Sequence, residues 1–431
     1  MQKLEIRGGN KISGTINISG SKNATLPILA STILSNKKIT INNVPVVRDV
    51  QTMVELLKTI GSTIIFNKEK KTIKIHNKKK LNTFASYHLL KTMRAGVLVL
   101  GALLTKYKTA KVSLPGGCAI GSRPINLHLD ALKKMGAKIK IKEGYIYASA
   151  KKGLKGCSIK FPKISVGATE NILIAACFAK GETRLRNCAI EPEVEDLIIF
   201  LKKIGCKIKK KGKRSLNVYG ISKLKPAIHR VIFDRIEAGT YILAAAITNG
   251  HIQITNINPK IISTEINLLN KMNIKIIKNK NFIVVTGPKK VKSANIETKP
   301  YPGFPTDLQA QIMALMCMAN GPSKIREKIF ENHYSCGTGM GEPFFSLYRA
   351  LGGNVGGAGQ LPIVFRNPYK SNANAALYIR SNCDSMNQDI NIGYMCISAR
   401  DAHKDIILSG CFKTPCSDSA NRVYEEIQVV P

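Results

Sequence analysis

A short phrase that ends one helix and begins one strand recurs along this chain, and it constrains the fold more than any other feature. Each copy reads as the last turns of an amphipathic helix, a glycine or asparagine, and then a strand rich in β-branched residues. Glycine, and after it asparagine, tolerates the left-handed backbone that reverses a chain at a helix end. Four close copies, spaced by about seventy residues, predict an array of about six α/β repeats. The copies are LLKTIGSTI with Gly61, LKKMGAKI with Gly136, LKKIGCKI with Gly205 and LNKMNIKI with Asn273, and a looser copy, LYRALGGNV, contains Gly352.

Length and composition predict a globular, cytoplasmic protein of two or three domains. The chain has 431 residues, of which 44% are hydrophobic, enough for packed cores. Its most apolar window, AGVLVLGALL from Ala95, is too short to span a bilayer and predicts a buried helix. The N-terminus contains no signal-peptide core. The eleven cysteines include no CxxC pair, so we expect reduced thiols with neither disulfides nor zinc.

The formal net charge of +39 raises the question of a nucleic-acid partner. The lysines occur in short runs that alternate with isoleucine and asparagine in strand-like segments, without interleaved stacking aromatics and without tryptophan. This pattern favours basic outer faces of strands over a specific nucleic-acid site. Such a surface still attracts phosphorylated, anionic small molecules.

One connection carries a thiol and a guanidinium together. In KVSLPGGCAIGSRPINLHLDALKKMGAKI, residues 111–139, Cys118 follows a two-glycine turn and Arg123 comes five residues later. Glycines let such a loop approach a small ligand, and a nearby cation lowers the pKa of a thiol. The alternative from these residues alone is a buried, inert cysteine beside a solvated arginine.

Other polar residues precede predicted helices. Lys22 follows a Ser-Gly turn, where an ammonium beside free amide groups suits a phosphate, although a solvated lysine fits equally. Arg94 is the sole charge before the long apolar stretch. SVGATE, from Ser165, predicts a strand-to-helix turn that either binds phosphate or merely caps its helix. Asp307 or its neighbour Thr306 is a candidate N-cap.

The motifs ISGSKNATLPILAS, LPGGCAIGSRP, DRIEAGTYILAAA and FPTDLQAQIMAL occur in order, and from Gln2 to Asn332 the chain resembles the UDP-N-acetylglucosamine 1-carboxyvinyltransferase family. The resemblance implies a two-domain inverse α/β barrel of six βαβαββ repeats, the enolpyruvyl transferase fold, with the active site between the domains. It implies that residues 22–231 form one domain, and 1–21 with 232–431 the other. The implied reaction transfers enolpyruvyl from phosphoenolpyruvate to the 3′-hydroxyl of UDP-N-acetylglucosamine, in peptidoglycan synthesis, without metal or cofactor.

The resemblance also implies residue roles. Cys118 is the general acid toward the methylene carbon and the target of fosfomycin, Asp307 is the general base, and Lys22 is a catalytic cation. DRIEAGT, from Asp234 to Thr240, lines the substrate. Asp234 and Arg235 equally fit an inter-domain ion pair, and Glu237 fits a first-turn dipole partner. Asn126 stands where many relatives have aspartate. The substrate-binding residues implied are Lys22, Asn23, Arg94, Arg123, Pro124, Ile125, Asn126, Leu127, Ser165, Val166, Gly167, Asp307 and Ile329.

The resemblance fails after Asn332. Residues 333–431 contain eight Lys and Arg against eight Asp and Glu, so all of the net charge lies before them. His333 replaces a functional arginine of the family, and Arg400 and Arg422 only faintly match two later positions. A frameshifted or chimeric reading explains this change best, a diverged sixth repeat comes second, and an appended module comes last.

Three alternatives to the implied function stay open from sequence. One is the sister transferase that acts on shikimate 3-phosphate, although the cysteine loop argues against it. Another is a catalytically impaired binder of UDP-sugars, because of residues 333–431. The last is a basic protein that meets nucleic acid nonspecifically. The sequence does not predict an oligomeric state.

Overall fold

A computed structural model of the protein describes residues 9–91, 93–115, 125–321 and 323–329, together with the backbone of seven strands between residues 354 and 430. The chain forms two compact units. The N-terminal unit comprises Ser19–Cys118 and Arg123–Asp234, and the C-terminal unit comprises the remaining residues. Within the described residues, no helix is long and apolar enough to cross a membrane.

The N-terminal unit alternates helices and short strands, which are numbered along the whole chain. Its helices are α1 (Lys22–Ser31), α2 (Arg48–Thr59), α3 (Tyr87–Leu90), α4 (Val99–Tyr107), α5 (Asn126–Lys134), α6 (Val166–Ala176) and α7 (Pro192–Lys203). Strand β1 (Ser13–Asn17) lies in the C-terminal unit. The strands of the N-terminal unit are β2 (Ile39–Asn42), β3 (Thr63–Asn67), β4 (Thr72–His76), β5 (Phe84–Ala85), β6 (Thr109–Ser113), β7 (Lys138–Lys142), β8 (Tyr145–Ser149), β9 (Ser158–Lys160), β10 (Glu182–Arg186), β11 (Lys207–Lys210), β12 (Ser215–Tyr219) and β13 (Ala227–Arg230).

These strands form three four-stranded sheets of one design. In each sheet a parallel pair is extended by an antiparallel hairpin, giving the orders β13-β2-β4-β3, β5-β6-β8-β7 and β9-β10-β12-β11. The repeated α/β organisation predicted from the sequence is therefore present three times in this unit.

Alternation along the strands explains where the positive charge lies. In β4 the side chains of Ile73 and Ile75 are buried, whereas Lys74 between them is exposed. Period-two alternation places lysines on one face of a strand and isoleucines on the other. The lysine–isoleucine runs of the sequence are thus amphipathic strands with solvated outer faces.

Three helices fill the centre of the N-terminal unit. Helices α1, α4 and α6 pack against one another, and α1 is buried continuously from Ala24 to Ser31. A helix that is apolar all round belongs in a core, whereas α2, α5 and α7 are amphipathic and keep a solvated face. The apolar window from Ala95 is buried as predicted, as a 3₁₀ turn at Arg94–Leu98 that continues into α4.

The predicted helix-end phrase is confirmed at all four close copies. Gly61, Gly136, Gly205 and Asn273 have positive φ angles of 105°, 94°, 109° and 72°, and each stands between a helix and a strand. After α2, the amide of Gly61 donates to the carbonyl oxygen of Lys58, and the amide of Ser62 donates to that of Leu57. These two hydrogen bonds define a Schellman motif. The other three copies make the same pair of bonds.

The C-terminal unit begins with the same sheet design. Strand β1 pairs in parallel with β14, and β16 and β15 extend the sheet antiparallel. Of LYRALGGNV only Asn354–Val355 is described, as β21, so the predicted helix end at Gly352 lies outside the described residues. The remaining elements are α8 (Arg235–Ile247), β14 (His251–Thr255), α9 (Ser263–Lys271), β15 (Lys275–Lys278), β16 (Phe282–Thr286), β17 (Val291–Lys292), β18 (Asn295–Glu297), α10 (Gln309–Met316), β19 (Ala319–Asn320), β20 (Ser323–Arg326), β22 (Ile363–Phe365), β23 (Ala376–Cys383), β24 (Ile390–Asn391), β25 (Gly393–Ser398), β26 (Ile406–Phe412) and β27 (Val423–Val430).

Candidate active site

Lys22 is the first residue of α1, and both its backbone amide and its side-chain ammonium contact carboxylates. Its backbone amide donates to Asp234 Oδ2 at 3.1 Å, and its ammonium lies 3.1 Å from Asp49 Oδ2. Ser21 caps the helix by accepting from the Ala24 amide at 3.2 Å. The Lys22 side chain remains 44% exposed, and its neighbour Asn23 is exposed as well. The turn therefore presents an oriented cation and an amide to solvent.

Asn171 connects three elements of the buried core. Its side-chain Oδ1 accepts from the Gly101 amide at 3.0 Å, and its Nδ2 lies 3.0 Å from His128 Nδ1 and 3.3 Å from the Val97 carbonyl oxygen. Asn171 is fully buried, so its own amide group needs these partners. The contacts link α6 to α5, to α4 and to the 3₁₀ turn before α4.

Arg94 begins that 3₁₀ turn, close to His128. Burial, and next the positive charge of Arg94, lower the pKa of His128 to about 4. The imidazole is therefore neutral near pH 7.

The start of α6 lies beside the same imidazole. Ser165 is the N-cap, and its Oγ accepts from the Ala168 amide at 3.3 Å, so the capping interpretation of SVGATE is confirmed. A Cβ atom placed on Gly167 would lie 3.3 Å from His128 Cε1. Val166 is exposed at the first turn.

Three residues of the predicted substrate-binding segment precede or begin α5. Ile125 is buried at the helix start, Asn126 is exposed, and Leu127 is half-buried. Because His128 follows directly, the structure brings the segment 125–127 near the turn 165–167 within the N-terminal unit. The binding role of both segments stays a prediction.

A group of buried carboxyls lies behind α6. Glu170, Glu191 and Glu193 are all buried, and burial, followed by the negative charges of Glu193 and Glu191, raises the pKa of Glu170 well above its usual value. This environment therefore disfavours the charged form of Glu170. Glu170 could have been noticed from sequence, because it is a glutamate in an otherwise apolar helix.

In the C-terminal unit, Asp307 lies in a 3₁₀ turn, Thr306–Leu308, just before α10. The capping alternative is wrong for this turn, because Pro305 occupies the N-cap position and no side chain there caps the helix. Asp307 is exposed. Its carboxylate is therefore free of the capping role that would have fixed it to the backbone.

Glu327 connects this turn to Ile329. The buried carboxylate of Glu327 accepts from Thr306 Oγ1 at 2.9 Å and from the Ile329 amide at 2.7 Å. Glu327 thus joins Thr306, the residue before Asp307, to the backbone of Ile329. Sequence reasoning missed Glu327 because nothing local distinguishes it from the surrounding charges.

Adjacent residues of the DRIEAGT segment contact different parts of the chain. Asp234 accepts the Lys22 amide, whereas Arg235 Nη1 lies 4.0 Å from Glu265 Oε1 and its guanidinium 5.8 Å from the Tyr301 ring centre. Glu237 lies in the first turn of α8, as the dipole interpretation predicts.

Cys118, Arg123 and Pro124 lie outside the described residues. The described cysteines are free thiols, and burial raises the pKa of both Cys188 and Cys317 to about 12. These two thiols stay protonated and unreactive near neutral pH.

Comparison with known proteins agrees with the fold and with the motifs. The sequence model of the EPSP synthase (3-phosphoshikimate 1-carboxyvinyltransferase) family matches residues 6–341. The UDP-N-acetylglucosamine 1-carboxyvinyltransferase of Pelagibacter ubique is 60% identical over 334 residues, which is 78% of this chain and 80% of the relative. The chain belongs to the UDP-N-acetylglucosamine 1-carboxyvinyltransferase family. The enzyme of that name from Geotalea uraniireducens is 49% identical over 78% of this chain and 79% of its own length.

Solved structures show the enolpyruvyl transferase fold. The enolpyruvyl transferase NikO from Streptomyces tendae is similar with a TM-score of 0.71 at 20% identity, covering 82% of this chain and 81% of that one. An EPSP synthase from Acinetobacter baumannii gives a TM-score of 0.58 at 19% identity, over 74% of each chain. In this carboxyvinyltransferase family member, the structure gives the positions of Lys22, Asn23, Arg94 and Asp307 and of the segments 125–127 and 165–167. Their roles stay predictions.

Proposed function

We propose that this chain transfers the enolpyruvyl group of phosphoenolpyruvate to the 3′-hydroxyl of UDP-N-acetylglucosamine, with release of phosphate, in the cytoplasm. The observation that carries the proposal is 60% identity over 334 residues to the Pelagibacter ubique enzyme named for this reaction. The chain spans 80% of that relative, and the family model matches residues 6–341, a range that contains every motif quoted for the resemblance.

The reaction is an addition followed by an elimination, and the assigned residues supply its proton transfers. In the addition, the sugar hydroxyl oxygen bonds to the central carbon of phosphoenolpyruvate while Asp307 accepts the hydroxyl proton. The thiol of Cys118 gives a proton to the methylene carbon, which becomes a methyl group. In the elimination, the carbon–oxygen bond to phosphate breaks, the methyl carbon returns a proton to the Cys118 thiolate, and the double bond forms again.

Cations balance the charge of the donor substrate. We assign Lys22, Asn23 and Arg94 to phosphoenolpyruvate and Arg123 to phosphate binding, because guanidinium and ammonium groups complement phosphate and carboxylate. The exposed ammonium of Lys22, oriented by Asp49, supports its part in this assignment. No step of the reaction requires a metal or redox cofactor.

The nucleotide sugar is assigned to residues on both units. In the N-terminal unit these are residues 123–127 and 165–167, and in the C-terminal unit they are Asp307 and the backbone of Ile329. The Glu327 hydrogen bonds support this assignment, because they join Ile329 to Thr306, the residue before Asp307.

We infer the two-domain, six-repeat architecture from the same relationship. The two compact units support domains at 22–231 and at 1–21 with 232–431, and three complete sheets support three repeats in the first. We infer that the sixth repeat is atypical or degraded, because the family model matches no residue after 341. A catalytically impaired UDP-sugar binder is the second candidate function, because the family match ends at residue 341.

Phosphate release tests the proposal. Release that depends on both substrates identifies the enzyme, whereas saturable binding of UDP-N-acetylglucosamine without release identifies the impaired binder. Release that requires shikimate 3-phosphate instead contradicts the proposal.

Fosfomycin provides an independent test of the thiol. We expect one adduct on Cys118 and none on Cys188 or Cys317, whose thiols burial keeps protonated. Cys118→Ser removes both the adduct and turnover, while Cys157→Ser is the matched control. Full turnover by folded Cys118→Ser would refute the assigned general acid.

A further inference from the structure

We propose that His128 is a neutral hydrogen-bond donor that binds the diphosphate of the nucleotide sugar beside the first turn of α6. The proposal rests on the proposed function, because the ligand is the UDP-sugar assigned there. It adds a residue that neither the motifs nor the resemblance singled out.

The hydrogen bonds of Asn171 fix which ring nitrogen of His128 carries the proton. The Gly101 amide can only donate, so the atom of Asn171 that faces it at 3.0 Å must be the oxygen Oδ1. The amide nitrogen Nδ2 then faces His128 Nδ1 at 3.0 Å and donates to it. Nδ1 is therefore an acceptor, and the single proton of the neutral ring is on Nε2.

The surroundings keep that ring neutral. His128 is only 6% exposed, and burial together with the positive charge of Arg94 lowers the pKa of His128 to about 4. At neutral pH the side chain thus offers one N–H donor and no charge of its own.

Nε2 points toward the start of α6. A Cβ atom on Gly167 would lie 3.5 Å from Nε2, and among the residues that the structure describes no acceptor bonds this nitrogen. The first amides of a helix also lack intrahelical acceptors, and Ser165 Oγ caps only the Ala168 amide.

Within the part of the chain that the structure describes, several donors consequently meet at one place without an acceptor. Donors do not pair with one another, whereas an anionic group with several oxygens accepts from all of them and is favoured at a helix N-terminus. A diphosphate has this chemistry. Gly167 contributes by its lack of a side chain, since a Cβ there would crowd the His128 ring at 3.3 Å.

Two substitutions of His128 separate binding from packing. His128→Gln keeps an acceptor for Asn171 and a donor toward α6, whereas His128→Phe fills the space without either. We expect His128→Phe to weaken binding of UDP and of UDP-N-acetylglucosamine by an equal factor, at least about tenfold, which a lost buried hydrogen bond produces. We expect His128→Gln to stay within about threefold of the parent. Titration calorimetry measures both affinities, and the exposed His251→Phe is the control.

Nitrogen NMR of ¹⁵N-histidine-labelled protein reads the ring directly. We expect His128 to be protonated on Nε2 at pH 7, with its Nε2 resonance shifting when UDP is added. An imidazolium, or a proton on Nδ1, overturns the proposal. So does parent-like affinity in folded His128→Phe, or a fall in melting temperature in both variants with unchanged affinities.

The outcomes distinguish this proposal from the proposed function. If the parent binds UDP-N-acetylglucosamine but releases no phosphate, catalysis is refuted while the affinities still decide the role of His128. If the parent binds neither UDP nor the UDP-sugar, both proposals are overturned.

Discussion

Replacing Asn171 by leucine tests whether its buried amide holds the helices of the N-terminal unit together. Leucine has a similar size, so the substitution removes hydrogen-bonding groups while leaving little empty volume. The Gly101 amide and His128 Nδ1 each lose their partner, and the Val97 carbonyl loses a longer bond of 3.3 Å.

The expected cost follows from those losses. A buried polar group left without a partner costs about 1–3 kcal/mol, and such costs within one network do not add fully. We therefore expect Asn171→Leu to lower the free energy of unfolding by about 3–5 kcal/mol, a large part of the ordinary 5–15 kcal/mol of a folded protein. The leucine side chain gains apolar burial, which offsets part of this cost, and the range of about 3–5 kcal/mol includes that gain.

Urea unfolding followed by circular dichroism measures the change, with Asn267→Leu as the matched control. Asn267 is an exposed asparagine on α9, so its substitution is expected to stay within about 0.5 kcal/mol. Hydrogen exchange of peptides from α4 gives a local measurement, since the Gly101 amide becomes exchangeable. A loss below about 1 kcal/mol, or unchanged exchange in α4, would refute the reasoning.

Two further predictions concern charged groups. Asp49→Asn releases the ammonium of Lys22; because both side chains are more than a third exposed, we expect less than about 1 kcal/mol of lost stability. The KM for phosphoenolpyruvate should nevertheless rise by about three- to tenfold in steady-state assays, and an unchanged KM would contradict the orienting role. Hydrogen bonds from Lys299 and then Lys328 lower the pKa of Glu297 to about 2. Its stabilisation is therefore present above about pH 4.5 and is lost as the pH falls toward 2. After allowing for solvent screening, Glu297→Gln should lower the free energy of unfolding by about 1 kcal/mol at pH 7 and should not change it below pH 2. Unfolding curves at several pH values measure this difference. An equal loss of stability at both pH values would argue against the prediction.

The helix-end phrase was predictable because its cause is local. A glycine or asparagine with positive φ, two backbone bonds and a following strand are all encoded within about eight residues, and Gly61 and Asn273 behave alike. The wrong alternative at Asp307 was local too: a proline two residues earlier occupies the cap.

The contacts that organise the candidate site are distant in sequence and were not predictable. Asn171 meets His128 across 43 residues and Gly101 across 70, and Asp49 meets Lys22 only after α1 and β2 have folded back. No propensity or spacing rule encodes such meetings, since they depend on how α4, α5 and α6 pack. The motifs could indicate residues but not their partners.

The parallel pairing of β2 with β13 has a consequence for how this chain is made. Ile39 is in register with Ala227, so nearly two hundred further residues must be synthesised before this edge of β2 is covered. A nascent chain that stops short of residue 230 keeps an open strand edge, which invites pairing with other chains. We therefore expect chains truncated before residue 230 to aggregate more readily than longer ones.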